Sequence, residues 1–218
     1  MTERLVMIVD DHPVVREGYR RLIDLQPGLR IVAEAEDARS AYSRYRETSP
    51  DVVVMDVTLP GASGIEAIRH IRQYDEAARI VVFTMHQGAA FALKAVEAGA
   101  AGYVTKSSDP ANLIEAIFGV LEGRTVISTD VIEGIAQDRI SGAGSGLDEL
   151  STRQTEILRL LASGWPAEKI ADALSISLKT VRNNHYQIKS VLGLETDAQM
   201  VWFALKTGLV ERSRAEQV

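Results

Sequence analysis

The chain contains no cysteine. That absence removes disulfide bonds, thiolate catalysis and cysteine-ligated zinc, and it fits a reducing compartment. No apolar stretch reaches the roughly 18 residues expected of a membrane span, and the opening MTERLVMIVDD carries charge on both sides of its short apolar run. A soluble cytoplasmic protein with no membrane contact is therefore expected. Positive charge is not in excess either: the 218 residues carry 24 Lys+Arg against 30 Asp+Glu, a net charge of −6 at pH 7. Such a chain does not coat nucleic acid indiscriminately, although a local basic face is compatible with it. Apolar residues make up 46% of the chain, enough at this length for one large domain or two of ordinary size.

From residue 4 to 122, short apolar runs alternate with amphipathic stretches. LVMIV, RIVAEA, DVVVMD, RIVVFT and GYVT each precede a helical pattern such as HPVVREGYRRLIDL or GASGIEAIRHIRQY. Five strand and helix pairs in strict alternation predict a doubly wound, five-stranded parallel sheet with helices on both faces, because parallel strands need crossovers. After Gly123 the pattern weakens, and SGAGSGL at 141–147 reads as a Gly/Ser linker. From Leu150 the pattern is all helical. Ser151 with Gln154 three residues later forms a capping box, and Gly164 suits the end of that helix. Further helices are expected over 166–173, 177–191 and 196–207, a small bundle containing a helix-turn-helix. The expected division is 1–124, a linker over 125–146, and a smaller all-α domain over 147–218.

VVVMDVTLPGASG, residues 52–64, delivers Asp56 from a β-branched run into a turn built from Leu59, Pro60, Gly61 and Gly64. Asp10 and Asp11 end the first strand, Thr84 the fourth, and Lys106 follows the fifth. In a doubly wound sheet the carboxyl ends of the strands lie along one edge, so these residues converge. Clustered carboxylates repel one another unless a cation intervenes, and hard oxygen ligands with room for water suit Mg²⁺. A magnesium site beside a reactive acid is the expectation. An isolated strand-end Asp is as often a turn or helix cap; five such residues at their own strand ends point to a site. His12, beside Pro13, reads as structural rather than as a ligand, His70 as solvated, and His86 as lining the loop near the site. Tyr103 is either ordinary core or a partner of Lys106.

In SISLKTVRNNHYQIKSVLG, Val181, Ile188 and Leu192 fall on one side of a helical wheel, and Lys179, Arg182, Asn183 and Tyr186 on the other. The second set offers donors, acceptors and an aromatic, as base edges and phosphates require of a helix in a major groove. A polar face is often merely solvated. The preceding EKIADALSIS supplies the first helix and turn of a helix-turn-helix and favours DNA. His185 lies on the apolar side and reads as packed. The span from Leu147 to Val218 holds nine Lys+Arg against nine Asp+Glu, so nonspecific DNA affinity should be weak.

IVDDHPVVR, MDVTLPGASGIE, VVFTMH and GYVTKS resemble the receiver domain of bacterial two-component response regulators, with its flavodoxin-like fold, over residues 4 to about 122. Residues from Leu150 to about Val210 are similar to the LuxR-type DNA-binding domain, and the whole chain resembles the NarL/FixJ subgroup. The resemblance implies that Asp56 is the phosphoacceptor, with a sensor histidine kinase as donor. It makes Asp11, Asp56 and the Thr58 backbone carbonyl Mg²⁺ ligands, with Asp10 assisting through water. Thr84 would bind the phosphoryl oxygen, Tyr103 would follow it inward as the switch aromatic, and Lys106 would be the counter-ion. In the DNA-binding domain Arg182, Asn183 and Tyr186 become base readers, and Lys179, Thr180 and Lys189 phosphate contacts. DAQMVWFALKTG resembles the dimerisation element, with Trp202 either core or interface. A transcription regulator rather than an enzyme is implied, one whose phosphorylation promotes a homodimer on double-stranded promoter DNA.

The chain departs from the pattern at Ser107, often Pro in receivers, and at Asn184, Val191 and Gln154, usually His, Lys and Glu. Pro166 and Lys169 replace the Ser/Thr and Glu that cap the first helix of the helix-turn-helix, at a cost of about 1 kcal/mol. Three alternatives carry less support. A phosphatase of the haloacid dehalogenase type needs an Asp where Thr58 stands. In a flavodoxin-like cofactor binder Asp10 and Asp11 would repel the phosphate. A DNA-binding regulator independent of phosphorylation would have no use for so complete an acidic site.

Overall fold

The computed structural model describes residues 3–60, 62–86, 89–140 and 146–210. The chain forms two compact units, residues 1–134 and 135–218. In the first, β1 (Arg4–Val9), α1 (Pro13–Asp24), β2 (Leu29–Ala35), α2 (Ala38–Thr48), β3 (Val52–Met55), α3 (Gly64–Tyr74), β4 (Ile80–Thr84), α4 (Ala89–Glu97), β5 (Gly102–Thr105) and α5 (Pro110–Leu121) alternate as expected. The sheet order is β2-β1-β3-β4-β5-β6, every pair parallel. Chain order reverses between β2-β1 and β3, which places the switch point of the sheet at the carboxyl ends of β1 and β3.

Five strands were expected and six are present. β6 (Val126–Ile127) pairs with β5, with Val126 N–H donating to Ala101 O at 3.0 Å and Ser128 N–H to Tyr103 O at 2.9 Å. Two residues are too few to show a period, so the strand is silent in sequence. α6 (Thr129–Ile140) follows it, and Thr105 Oγ1 donates to Asp130 Oδ2 at 2.7 Å, fastening the start of α6 to β5. The span expected as a linker, 125–146, thus holds ordered elements up to Ile140. Its Gly/Ser stretch at 141–145, like turn residue Gly61, lies outside the described residues.

The central strands are buried on both faces. Val6, Ile8, Val52, Val54, Val81, Phe83 and Val104 pack with Ile23, Leu113, Ile117 and Val120. The alternate residues Met7, Val53, Met55 and Val82 are equally buried on the other side, as are Ile65, Ile68 and Ile71 of α3. Gly64 opens α3 where a Cβ would overlap the Asp56 carbonyl oxygen and stand 2.9 Å from the Val57 Cα. Only glycine lets α3 start this close to the strand end.

In the second unit a 3-10 helix (Gly146–Glu149) leads into α7 (Thr152–Ala162), α8 (Ala167–Ala173), α9 (Leu178–Val191) and α10 (Asp197–Lys206). Ser151 and Gln154 form the expected capping box, and Gly164 takes φ +81° just past α7. Pro166 is the N-cap of α8 and makes no side-chain cap bond; Lys169 instead sits 4.2 Å over the Trp165 ring. Ile157, Leu158, Ile170, Val181, Ile188, Met200 and Ala204 are buried. Among the described residues no helix is long and apolar enough to cross a membrane.

Candidate functional site

Strand register brings the acidic residues together. Asp10 follows β1 and Asp56 follows β3, and the Asp56 N–H donates to Val9 O at 2.9 Å, which locks the two strand ends side by side. Both residues are buried, at 3% and 4% exposure. Lys106 Nζ reaches both, 2.5 Å from Asp10 Oδ2 and 2.5 Å from Asp56 Oδ2. The remaining oxygens are also held: His12 N–H donates to Asp10 Oδ1 at 2.8 Å, and Thr58 N–H to Asp56 Oδ1 at 3.0 Å. These donors fix the rotamers of both acids.

Asp11 is less engaged. Its Oδ1 is buried, and the His12 Nδ1 at 2.8 Å meets the distance of an ion pair without the alignment of a hydrogen bond. Burial pushes the Asp11 carboxyl up; the His12 ring opposes this, and the charges of Asp10 and Asp56 add to the rise. Burial alone would lower Lys106, but Asp56 and Asp10 outweigh it and hold the ammonium above its ordinary value. Ligand atoms of Asp10, Asp11, His12 and Asp56 all lie within 4.8 Å of one another. His12, read from sequence as structural, therefore stands inside the acidic cluster.

Thr84 is fully buried at the end of β4, and its Oγ1 has no hydrogen-bond partner among the described residues. Its carbonyl accepts from the Lys106 N–H at 2.7 Å, which ties it to the segment carrying the ammonium. Tyr103 is buried and turned inward, its hydroxyl donating to His86 O at 2.8 Å. Burial, with Asp56 and Asp130, pushes its phenol well above the usual value, so it remains a donor.

Two participants go beyond what the sequence predicted: His86 was expected only to line the loop near the site, and Asp130 was not expected at all. His86 is buried, stacked on Phe91 with ring centroids 4.1 Å apart, and its Nε2 lies 2.8 Å from Thr58 Oγ1. It joins the turn after Asp56 to the turn after Thr84, and only the VVFTMH position hinted at this. Asp130 had no signal, being in a helix that the sequence pattern did not reveal. His70, expected to be solvated, is exposed but stacks on Tyr42 at 4.3 Å.

On α9, Lys179, Thr180, Arg182, Asn183 and Tyr186 are exposed while Val181 and Ile188 are buried, so one face is free for a partner. Tyr186 is 75% exposed. Thr180 also serves the N-terminus of α9: its N–H donates to the cap Ser177 Oγ at 3.0 Å. Asn184 turns back, donating to Thr180 O at 2.8 Å. Lys189, on the same helix, is half-buried and bonded to Asp197 at 2.9 Å. His185, read as packed, is half-buried and reaches the same carboxylate. Trp202 is 62% exposed, which removes it from the core of this unit.

Comparison with known proteins agrees with both halves. Residues 6–118 match the response regulator receiver domain, and residues 148–204 match the bacterial regulatory proteins of the luxR family. The chain is similar to the response regulator UvrY of Escherichia coli K12, 32% identical over 206 residues that cover 94% of each protein. It is also similar to the crystal structure of a LuxR-family two-component response regulator from Aurantimonas sp. SI85-9A1, 65% identical with TM-score 0.62, covering 64% of this chain and 99% of that one. RcsB of Salmonella enterica serovar Typhimurium, solved on a promoter with a phosphomimetic, is 26% identical with TM-score 0.67, covering 94% of this chain and 100% of that one. An acidic pocket at the switch point of a parallel sheet, followed in one chain by a helix-turn-helix, thus places this protein among the two-component response regulators of the NarL/FixJ subgroup, a receiver domain joined to a LuxR-type DNA-binding domain.

Proposed function

We propose that Asp56 accepts a phosphoryl group from the phosphohistidine of a sensor histidine kinase. The observation that carries this reading is the buried Thr84 hydroxyl, without a partner among the described residues, at the same sheet edge as the Asp56 and Lys106 pair. A polar atom left unsatisfied in a core is costly unless a ligand completes it. An Asp56 carboxylate oxygen attacks phosphorus, the P–N bond breaks, and its electron pair stays on the imidazole nitrogen. Lys106 offsets charge on the phosphoryl oxygens, and the fixed rotamer of Asp56 supplies the orientation. Thr84 then donates to a phosphoryl oxygen, and the inward Tyr103 is the conformation that accompanies this bond.

The donor set fits Mg²⁺: Asp10, Asp11, Asp56 and the Thr58 carbonyl offer hard oxygens, and the buried Asp11 Oδ1 has no aligned donor among the described residues. Bound there, the ion would supply charge neutralisation for two anions brought together.

The output is read through α9. Arg182, Asn183 and Tyr186 read base edges in promoter DNA, and Lys179 and Thr180 hold phosphates. The receiver spans 1–124, with β6 added to its sheet, and the DNA-binding domain 147–218, in a cytoplasmic protein that dimerises when phosphorylated, with Trp202 of α10 in the contact. Joining two weak modules makes the second DNA contact intramolecular. Intact mass after incubation with Mg²⁺ and a small acyl phosphate tests the first step. A phosphoryl adduct on the native chain and none on Asp56→Asn is expected. An adduct on both chains would move the acceptor elsewhere.

A further inference from the structure

α9 carries three cations, Lys179, Arg182 and Lys189. Lys189 Nζ lies 2.9 Å from Asp197 Oδ1, and His185 Nε2 lies 2.9 Å from the same oxygen. His185 and Lys189 are four residues apart and stand one above the other on a single face of α9. Asp197 opens α10 directly after its N-cap, Thr196, where the helix amides favour a negative charge. The hydrogen bond from Lys189, aided by His185, holds the Asp197 carboxyl below the usual range against the opposing effect of burial. The Lys189 side chain is 25% exposed and that of Arg182 67%. Arg182 also has an acid nearby, Glu168 Oε1 at 3.8 Å, but both ends are in water and such a pair is weak.

We propose that Asp197 is a built-in competitor for DNA phosphate, which occupies the Lys189 ammonium and so sets the strength and salt dependence of DNA binding. The inference rests on the reading of α9 as the DNA-facing helix. A carboxylate and a phosphate are alternative anionic acceptors for one ammonium. A lysine already neutralised inside the domain has no condensed counterion to displace from DNA, so it adds nothing to affinity until its pair is broken. In a domain whose charges balance, one cation withheld is a large share of what remains on the reading face.

The test uses the full chain and a short mixed-sequence duplex, with fluorescence anisotropy across a salt series. Asp197→Asn should release Lys189 for about one further phosphate, steepening the dependence of log K on log salt by about 0.9. The same counterion release corresponds to about fivefold tighter binding at roughly 0.15 M salt and about fifteenfold at roughly 0.05 M. Adding Lys189→Gln should cut both gains back to the small one expected from loss of a negative charge alone. Glu195→Gln removes the same charge at a carboxylate with no ion pair among the described residues; it should give a smaller gain that survives Lys189→Gln. Asp197→Ser, whose hydroxyl still serves the first turn of α10, repeats the test should the Asn variant fold poorly. Unchanged or weaker binding by a folded Asp197 variant, or a gain that survives Lys189→Gln and exceeds that of Glu195→Gln, overturns the proposal and leaves Asp197 as a tie between α9 and α10. Arg182→Ala separates the two readings: if it binds DNA as the native chain does, α9 is not the reading helix, whatever Asp197 does.

Discussion

Replacing Lys106 by Met keeps the length and apolar stem of the side chain and removes only the ammonium. In the native structure that ammonium lies 2.5 Å from carboxylate oxygens of both Asp10 and Asp56, and the three side chains are only 7%, 4% and 5% exposed. Removing one partner from a buried ion pair costs about 3–5 kcal/mol, because the other charge stays buried and uncompensated. Here two acids are left, with Asp11 beside them. Two carboxylates about 4 Å apart at an effective dielectric near 20 repel by roughly 4 kcal/mol, so the upper part of that range is expected. A domain has about 5–15 kcal/mol of stability in all. Urea denaturation of the full chain, followed in the receiver, should therefore show a large loss at neutral pH without divalent cations. Asp56→Asn in the Lys106→Met background should recover much of it, since one of the stranded charges is gone. Millimolar Mg²⁺ should recover part of it as well, because a ligand that binds only the folded state stabilises it by mass action. A loss under about 1 kcal/mol, or a double variant no more stable than Lys106→Met, would refute the view that Lys106 is the electrostatic keystone of the pocket.

Gly64→Ala places a Cβ against the Asp56 carbonyl and 2.8 Å from its carbonyl carbon, with backbone rather than a flexible side chain in the way. Its expected cost is about 1–3 kcal/mol, and phosphoryl acceptance should fall with it because Asp56 must move; wild-type acceptance rates in the variant would be evidence against the fit. Ser175 holds φ +52° in the turn between α8 and α9. Ser175→Gly should raise the stability of the helical unit by about 0.5–1 kcal/mol, the left-handed penalty less the greater freedom of glycine in the unfolded chain; calorimetry would read it as a higher midpoint. Tyr45 donates to Asp75 Oδ2 at 2.6 Å, and this bond is the first cause of the depressed Asp75 pKa. Tyr45→Phe should cost about 1.5–3 kcal/mol near neutrality. A folded carboxyl lowered from 3.8 contributes stability above that value and loses it as pH falls through the folded pKa, so the difference from the native chain should close below about pH 4.

Local signals made much of this molecule legible. The β-branched runs announced five strands, the acids at their ends announced the pocket, and Ser151 with Gln154 announced α7 at its observed start. Each is encoded within a few residues. β6 has two residues and α6 only a weak apolar face, so neither rises above its surroundings in sequence. His86 was legible as a position near the site but not as the partner of Thr58, 28 residues away, because that contact exists only once the turns after β3 and β4 are set side by side. Lys189 carries another contact of this kind. Its place on α9 predicted a phosphate contact, and nothing in the helix itself revealed that Asp197 of α10 had claimed the charge.

The unpartnered Thr84 hydroxyl also bounds how large the response to phosphorylation can be. A buried hydroxyl without a partner costs about 1–3 kcal/mol, and a hydrogen bond to a charged acceptor contributes about 1.5–3 kcal/mol. A phosphoryl group on Asp56 that engages Thr84 in one conformation and not in another therefore favours the first by about 3 kcal/mol, roughly a 150-fold shift. A conformer present at about 1% would become the majority, whereas one ten times rarer would be raised only to about a tenth of the molecules. A switch of this size does not need to drive DNA binding from nothing. It needs only to multiply a weak affinity, which is what a DNA-binding domain with balanced charges, one of whose lysines is already bound to an aspartate, is expected to have. The modest energy available at the pocket and the restrained charge on α9 are thus matched: a strongly basic output domain would hold DNA whether or not Asp56 carried a phosphoryl group.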